Sequence, residues 1–159
     1  MKSRDYTTVL RVGASPREAF DAINDVRGWW AGEIKGKSAK VGDEFTYAYE
    51  NFHRSKQRVI ELVPAKKIAW LVVKGSLNFV ENKGEWDGTR IEFAIARKGE
   101  KTEIRFTHAG LHPDLECFDA CSNAWGSLVK TCLRNLIVSG KRATMDASNA
   151  MASPVRCEP

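Results

Sequence analysis

The hydrophobic positions of this chain change their period along its length, from two in the middle to three and four near the end. The longest stretch with steps of three and four runs from about Leu115 to Ser139. Such spacing is typical of one face of an α-helix. We therefore predict a long terminal helix, with Asp114 as its N-cap and Gly140 just beyond its end. Its apolar stripe contains Phe118, Cys121, Trp125, Leu128 and Cys132.

Alternation of apolar and polar residues predicts strands in the preceding part of the chain. It is found over Tyr6–Val12, around 45–49, over 58–63 and over 68–73, with a loop expected at 51–56. The stretch 68–73 is apolar on both faces, so we expect its strand to lie in the centre of the sheet.

The clearest β-hairpin follows the ambiguous stretch 75–88. Ile91–Ile95 and Ile104–His108 alternate on either side of a polar turn at 98–101, as the two strands of a hairpin do. His108 is in phase with the residues that we expect to point inward.

A short helix is predicted after the first strand. Ser15 is placed as its N-cap, Pro16 as its first residue, and Glu18 as the residue that closes a capping box.

These elements predict an α+β fold of the helix-grip type, in which a curved antiparallel sheet wraps around the long terminal helix. One domain is expected over residues 1–142, followed by a flexible tail at 143–159. A helix lying across a concave sheet leaves volume between the two, and that volume is where we expect binding.

Composition favours an ordinary globular domain outside the membrane. The chain has 159 residues, of which 43% are hydrophobic, enough for a sizeable core at this length. No apolar run reaches the ~18 residues of a membrane span, and the start of the chain lacks the apolar segment of a signal peptide. Four cysteines, Cys117, Cys121, Cys132 and Cys157, lie in the last third of the chain, and three of them share one helix face. Two residues four apart on a helix rarely reach disulfide geometry. Free thiols and a cytoplasmic location are therefore expected.

The net charge of +5 does not indicate a nucleic-acid partner. The densest basic stretch, residues 33–40, has the spacing of a Gly-containing loop, and no exposed aromatic platform accompanies it. A solvated surface is the preferred interpretation.

Four segments together resemble a known family. They are Ser15–Phe20 before Trp29 and Trp30, Val63–Trp70, Arg105–Leu111 and Ala124–Leu128. In order and spacing they are similar to the START-like (SRPBCC) superfamily, in the branch of the C-terminal domain of the activator of heat-shock protein 90 ATPase. The resemblance extends over roughly residues 5–140. It implies a cupped sheet around a hydrophobic pocket, and it implies little about chemistry.

The bulky inward positions are the candidate ligand-binding residues. Aromatic side chains supply apolar contact area, and tyrosines and tryptophans also supply one polar atom. The predicted set is Trp30, Tyr47, Tyr49, Trp70, Phe93, Phe106, His108, Phe118, Trp125 and Val129.

His108 is the one candidate for catalysis. An imidazole at the mouth of an apolar pocket could act as a general acid or base; alternatively it is a core histidine bonded to a backbone carbonyl. A tetrahedral zinc site of His108, His112, Cys117 and Cys121 is an alternative interpretation. Because the spacing fits no common zinc motif, we predict no metal, and we predict no cofactor.

Three functions remain open from the sequence. The first is a non-catalytic module that binds a small hydrophobic ligand. The second is a cyclase-like enzyme that uses His108. The third is a chaperone-accessory or other protein-interaction domain, which would contact its partner through Lys35 to Lys40. The protein is expected to be a monomer or a homodimer.

Overall fold

The computed structural model describes residues 5–30, 32–49, 53–78, 80–81 and 83–139. Over these ranges seven strands form one antiparallel sheet in the order β1-β7-β6-β5-β4-β3-β2. The strands are β1 (Tyr6–Val12), β2 (Glu33–Gly36), β3 (Glu44–Tyr49), β4 (His53–Val63), β5 (Lys67–Leu77), β6 (Arg90–Lys98) and β7 (Lys101–Ala109).

The sheet confirms the main strand predictions. β5 is the fourth of the seven strands in spatial order, as expected for a segment that is apolar on both faces. The hairpin β6–β7 closes through the pair Lys98 and Lys101. Register shifts between β4 and β5 next to Lys56 and Val59 add curvature, because an extra residue in one strand bends it.

Two predicted loops are partly wrong. Residues 33–36 of the basic stretch form β2, and residues 53–56 belong to β4. β2 has only four residues, of which three are exposed, so no apolar alternation marks it. The start of β4 was missed because the residues that point inward there are polar rather than apolar. Asn51, from the same predicted loop, lies outside the described residues.

The helix α1 (Pro16–Asn24) begins as its sequence predicts. Ser15 Oγ accepts from the Glu18 backbone N–H at 3.0 Å, and the Glu18 carboxylate accepts from the Ser15 N–H at 2.9 Å. This capping box satisfies two backbone donors that the first helical turn leaves unpaired. A single 3₁₀ turn, Val26–Gly28, then leads to the buried pair Trp29 and Trp30.

The terminal helix has three consecutive segments: α2 (Phe118–Ser127), a π-helical segment (Leu128–Leu133) and α3 (Arg134–Ser139). It begins three residues later than predicted, and its N-cap position is Cys117 rather than Asp114. The cap comes from elsewhere in the chain: the Glu85 carboxylate accepts the backbone N–H groups of Glu116 and Cys117, both at 3.0 Å. A capping group 31 residues upstream leaves no local signal in the sequence.

The core lies between the concave face of the sheet and the helices. Along β1, β6 and β7 most of the alternate residues that point to this face are buried. No helix in the described part of the chain is long and apolar enough to span a membrane. The predicted stop at Gly140 and the predicted tail at 143–159 fall outside the described ranges.

Candidate functional site

An aromatic cluster lies between the terminal helix and the concave face of the sheet. The Trp125 ring lies 5.0 Å from the Trp30 ring and 4.7 Å from the Phe106 ring, measured between centroids. Trp30 also stacks on Tyr47 at 4.3 Å and lies parallel to Trp70 at 6.2 Å. β7 therefore meets the helix by a direct ring contact, and β3 and β5 are linked to it through Trp30.

Nine of the ten predicted ligand-binding residues are buried around this cluster. Phe93 touches both Trp70 and Phe106, and Tyr49 and Val129 belong to the same core. Phe118 differs, because it is only half-buried and its ring contact is with Tyr6 at 6.4 Å. The role of these residues in ligand binding stays a prediction.

His108 lies in the core rather than at the mouth of a pocket. Its side chain has no accessible surface. Trp125 Nε1–H donates to His108 Nδ1 at 2.9 Å. The Thr89 hydroxyl donates to the Trp86 carbonyl, so its oxygen accepts from His108 Nε2–H at 2.8 Å. These bonds fix one neutral tautomer and engage both ring nitrogens.

Trp86 is the residue that places His108 in the interior, and sequence reasoning did not include it in the site. Its ring meets the His53 ring at 4.4 Å and the His108 ring at 4.7 Å, edge to face in both cases. It also stacks on Trp125 at 5.8 Å. The prediction that His108 lies at the rim is wrong because this indole covers it.

Gly75 makes the approach of Trp86 to the sheet possible. A Cβ at position 75 would lie 2.9 Å from the Cβ of Trp86, closer than two carbon atoms pack without strain. The Gly75 N–H also donates to the Asp87 carboxylate at 2.6 Å. A glycine in a strand interior is a recognised sign of such a close approach, and it is the sequence signal that could have located Trp86.

A row of three polar side chains, His53, Ser55 and Gln57, occupies alternate inward positions of β4. Ser55 Oγ lies 3.2 Å from His53 Nε2 and accepts from Gln57 Nε2 at 2.5 Å. We call these three residues the polar row. Sequence reasoning missed it because it assigned part of β4 to a loop.

Three buried polar atoms of this region have no hydrogen-bond partner among the described residues: Gln57 Oε1, Trp70 Nε1 and Trp86 Nε1. The Gln57 and Trp70 side chains have no accessible surface. Leaving such a group unpaired costs about 1–3 kcal/mol. Among the described residues the interior therefore has one free acceptor, on β4, and two free indole donors, of which Trp70 Nε1 lies on the adjacent strand β5.

Two imidazoles and one phenol of the interior are neutral near pH 7. Burial lowers the pKa of His108 to about 3, and the nearby His53 adds to this effect. Burial likewise lowers the pKa of His53 to about 3. Burial raises the pKa of Tyr47 above its ordinary value, so its phenol keeps its proton. The site therefore favours an uncharged ligand over an ion.

The structure gives the zinc alternative no support. Within the described ranges no three potential metal-ligating side chains come together. His112 contacts the Asp5 carboxylate at 3.2 Å, and His108 uses both nitrogens within the core. Cys117 and Cys121 are free thiols, as expected. Cys132 is disulfide-bonded, so the prediction of a free thiol is wrong for that residue.

Chemically, this arrangement is suited to binding. It offers ring faces for stacking, an unpaired amide oxygen and two unpaired indole N–H groups among the described residues. Neither ring nitrogen of His108 has a free lone pair or proton, which a general acid or base at that position would need.

Comparison with known proteins gives one family and many similar structures. The model of a family described as "Activator of Hsp90 ATPase homolog 1-like protein" matches residues 14–137. No curated protein matches the sequence. The solution structure of the Aha1 dimer from Colwellia psychrerythraea has a TM-score of 0.68 and 24% identity, and the match covers 86% of this chain and 98% of that one.

Two similar structures come from biosynthetic loci. DynU16, a putative protein of the dynemicin biosynthetic locus, has a TM-score of 0.68 and 14% identity, covering 89% of this chain and 49% of that chain. The di-domain ARO/CYC StfQ from the steffimycin biosynthetic pathway has a TM-score of 0.61 and 15% identity, covering 83% of this chain and 44% of that chain. At these identities the likeness establishes the helix-grip fold.

Proposed function

This chain belongs to the family of activator of Hsp90 ATPase homolog 1-like proteins, and we propose that it binds a small hydrophobic ligand between its terminal helix and the concave face of its sheet. The observation that carries the proposal is the Gln57 carbonyl, which is fully buried and has no donor among the residues that the structure describes. Native interiors rarely leave such an acceptor unpaired. A ligand that donates to it recovers the free energy lost on burial.

The chemistry of the interior specifies the ligand further. Gln57 pairs with Val72 across β4 and β5, and Trp70 is the next residue of β5 that points to the same face. The Trp70 donor and the Gln57 acceptor are therefore diagonal neighbours on the sheet. A hydroxyl group can accept from the indole N–H and donate to the amide oxygen. The surrounding rings favour a flat aromatic skeleton, so the ligand is a hydroxylated aromatic molecule.

The Trp86 ring occupies the part of this interior beside Trp125. Its ring stacks on Trp125 as a planar ligand would. It belongs to a connecting segment, residues 83–89, and not to a strand. Such segments open more readily than strands of the sheet centre. We therefore expect a ligand to enter by displacing the Trp86 ring.

Two of the similar structures support the choice of probe. DynU16 and StfQ are both associated with biosynthetic pathways, and StfQ is described as an ARO/CYC protein. Polycyclic aromatic compounds with hydroxyl groups are accordingly the first probes to test. A fatty acid and a sterol of similar size serve as comparison ligands.

Thermal shift is the test. A ligand present at about 100 times its Kd stabilises the folded state by about 2.7 kcal/mol, which for a domain of this length raises Tm by about 5–10 °C. Dihydroxyanthraquinone is expected to give such a shift at saturation, and stearate a smaller one. The variant Gln57→Leu should reduce the shift, because it removes the carbonyl that accepts from the ligand. The Tm of the free protein should change little, since the variant removes the unpaired carbonyl together with the hydrogen bond to Ser55.

A matched control makes the result specific. Thr46→Leu introduces the same side chain on the exposed face of the neighbouring strand and should leave the ligand shift unchanged. If none of the three ligand classes shifts Tm, or if Gln57→Leu keeps the full shift, the proposal is wrong.

The other two functions expected from the sequence have no specific observation in their favour. A cyclase-like role needs one free nitrogen on His108, whereas both are engaged. A chaperone-accessory role stays a prediction that pull-down with the chaperone would test. The similar Colwellia psychrerythraea structure is described as a dimer, and light scattering would decide between a monomer and a homodimer here.

A further inference from the structure

The outer face of the sheet has a groove that the proposed ligand does not use. It runs across β2, β3, β4 and β5 and encloses about 410 Å³. The strand register gives its walls. One row of paired residues is Lys35, Thr46, Lys56 and Lys74, and the other is Glu33, Ala48, Arg54 and Ser76. We call this feature the outer groove.

The floor of the outer groove is main chain. Tyr47, Ser55 and Gly75 line it as well, and these residues pair directly across the three strands. The side chains of Tyr47 and Ser55 point to the concave face, where they are buried, and Gly75 has none. Backbone therefore separates the two rows, and the floor is lower than both walls.

The walls carry an excess of positive charge. Four of their side chains are cationic and only Glu33 is acidic. Lys56 and Lys74 are directly opposite each other in the register, an arrangement that lowers the stability of a sheet. Glu44 and Asp87 lie 3.2 and 3.6 Å from these two lysines and offset part of that repulsion.

Among the side chains of the outer groove, Arg54 has the most hydrogen-bond donors available to a partner. It is exposed, and its guanidinium makes no ion pair or hydrogen bond with the described residues. A guanidinium presents five N–H donors in a fork that matches a carboxylate in a bidentate manner. Arg54 lies two residues before Lys56 on the same face of β4, and Lys74 is its diagonal neighbour on β5. An acidic segment that crosses the floor can therefore meet three cations.

The dimensions of the outer groove fit an extended peptide. Four strands spaced about 4.8 Å apart give a length of about 14 Å, and an extended chain rises about 3.3 Å per residue, so about four residues fit. No exposed aromatic ring lines it. Single-stranded nucleic acids gain much of their binding energy by stacking on such rings, which favours a polypeptide over a nucleic acid.

We propose that the outer groove binds an extended acidic segment of a partner protein, whose carboxylates pair with Arg54, Lys56 and Lys74. The surface is separate from the ligand interior, because the sheet backbone lies between them. Since the contacts are solvent-exposed ion pairs, binding is salt-sensitive.

The test uses a fluorescein-labelled decapeptide of alternating Glu and Asp, followed by fluorescence polarisation at low salt. A peptide with Gln and Asn at the same positions is the neutral comparison. An exposed ion pair contributes about 0.2–1 kcal/mol, or up to about fivefold in Kd. The double variant Arg54→Gln/Lys74→Gln removes two such pairs and is expected to weaken binding of the acidic peptide by about two- to thirtyfold.

The matched control removes two positive charges from the same outer face at the other end of the sheet. Lys101→Gln/Arg105→Gln changes two exposed residues of β7 and should leave binding within about twofold, with an unchanged Tm in both double variants. Equal weakening by both double variants would overturn the proposal, and so would absence of binding by the unmodified protein. Tighter binding of a ten-nucleotide single-stranded DNA through Arg54 and Lys74 would overturn the assignment to a peptide.

Discussion

The two interior histidines make the stability of the fold depend on pH in a defined window. His108 is fully buried, and its pKa is lowered from an ordinary 6.5 to about 3. Below pH 6.5 the unfolded chain takes up a proton on this imidazole, whereas the folded protein does not until about pH 3. The free energy of unfolding therefore falls as the pH falls from about 6.5 to about 3.

The magnitude follows from the two pKa values. Between about pH 7.5 and about pH 5.5, one such histidine lowers the free energy of unfolding by about 1.4 kcal/mol. His53 contributes up to the same amount; its pKa is also lowered to about 3, but the residue keeps some accessible surface. We expect a total loss between about 1.4 and 2.7 kcal/mol. Glu18 and Glu44, whose pKa values are lowered from 4.5, titrate below this window.

Urea unfolding followed by tryptophan fluorescence measures this loss. His108→Gln removes one titrating group and can keep a hydrogen bond to Thr89 or to Trp125. It should reduce the pH-dependent loss by about 1.4 kcal/mol, whatever its effect on stability at a single pH. A free energy of unfolding that stays within about 0.5 kcal/mol over the window would refute the claim that these imidazoles are kept neutral by burial.

Three further substitutions test the packing of the site by the same unfolding assay. Gly75→Ala should cost about 1–3 kcal/mol, because the added methyl group meets Trp86; a neutral result would show that Trp86 does not rest on the sheet. Trp125→Phe should lower the free energy of unfolding by about 1–3 kcal/mol or more, because it leaves His108 Nδ1 without its donor. A smaller loss would argue against that bond. Ser15→Ala should cost about 1 kcal/mol through the lost capping box, with no effect on ligand binding; a lost ligand shift would contradict the separation of α1 from the site.

Much of the fold follows from local patterns in the sequence. The alternation in β6 and β7 and the turn between them define a hairpin without any knowledge of the rest of the chain. The capping box at Ser15 is equally local. The long apolar stripe correctly placed Trp125 on the buried face of the terminal helix. In each case a pattern within about ten residues determines the structure.

The features missed by the sequence depend on distant contacts. The start of the terminal helix is set by Glu85 from another part of the chain. The depth of His108 depends on Trp86, which reaches the interior only because Gly75 lies opposite it. The polar row was missed because Gln57 and its neighbours break the apolar alternation of β4 at the positions that face inward. Such reversals of the expected pattern are typical of functional sites.

The central claim is that a hydroxylated aromatic ligand enters the interior beside Trp70 and Gln57. The protein has five tryptophans, and ¹⁵N labelling of their indole groups gives one NMR signal for each. On titration with dihydroxyanthraquinone, the Trp70 indole signal should shift and saturate, because its N–H gains an acceptor, and the Trp86 signal should move with it. If a ligand that raises Tm leaves both signals unchanged, it binds elsewhere and the account is contradicted.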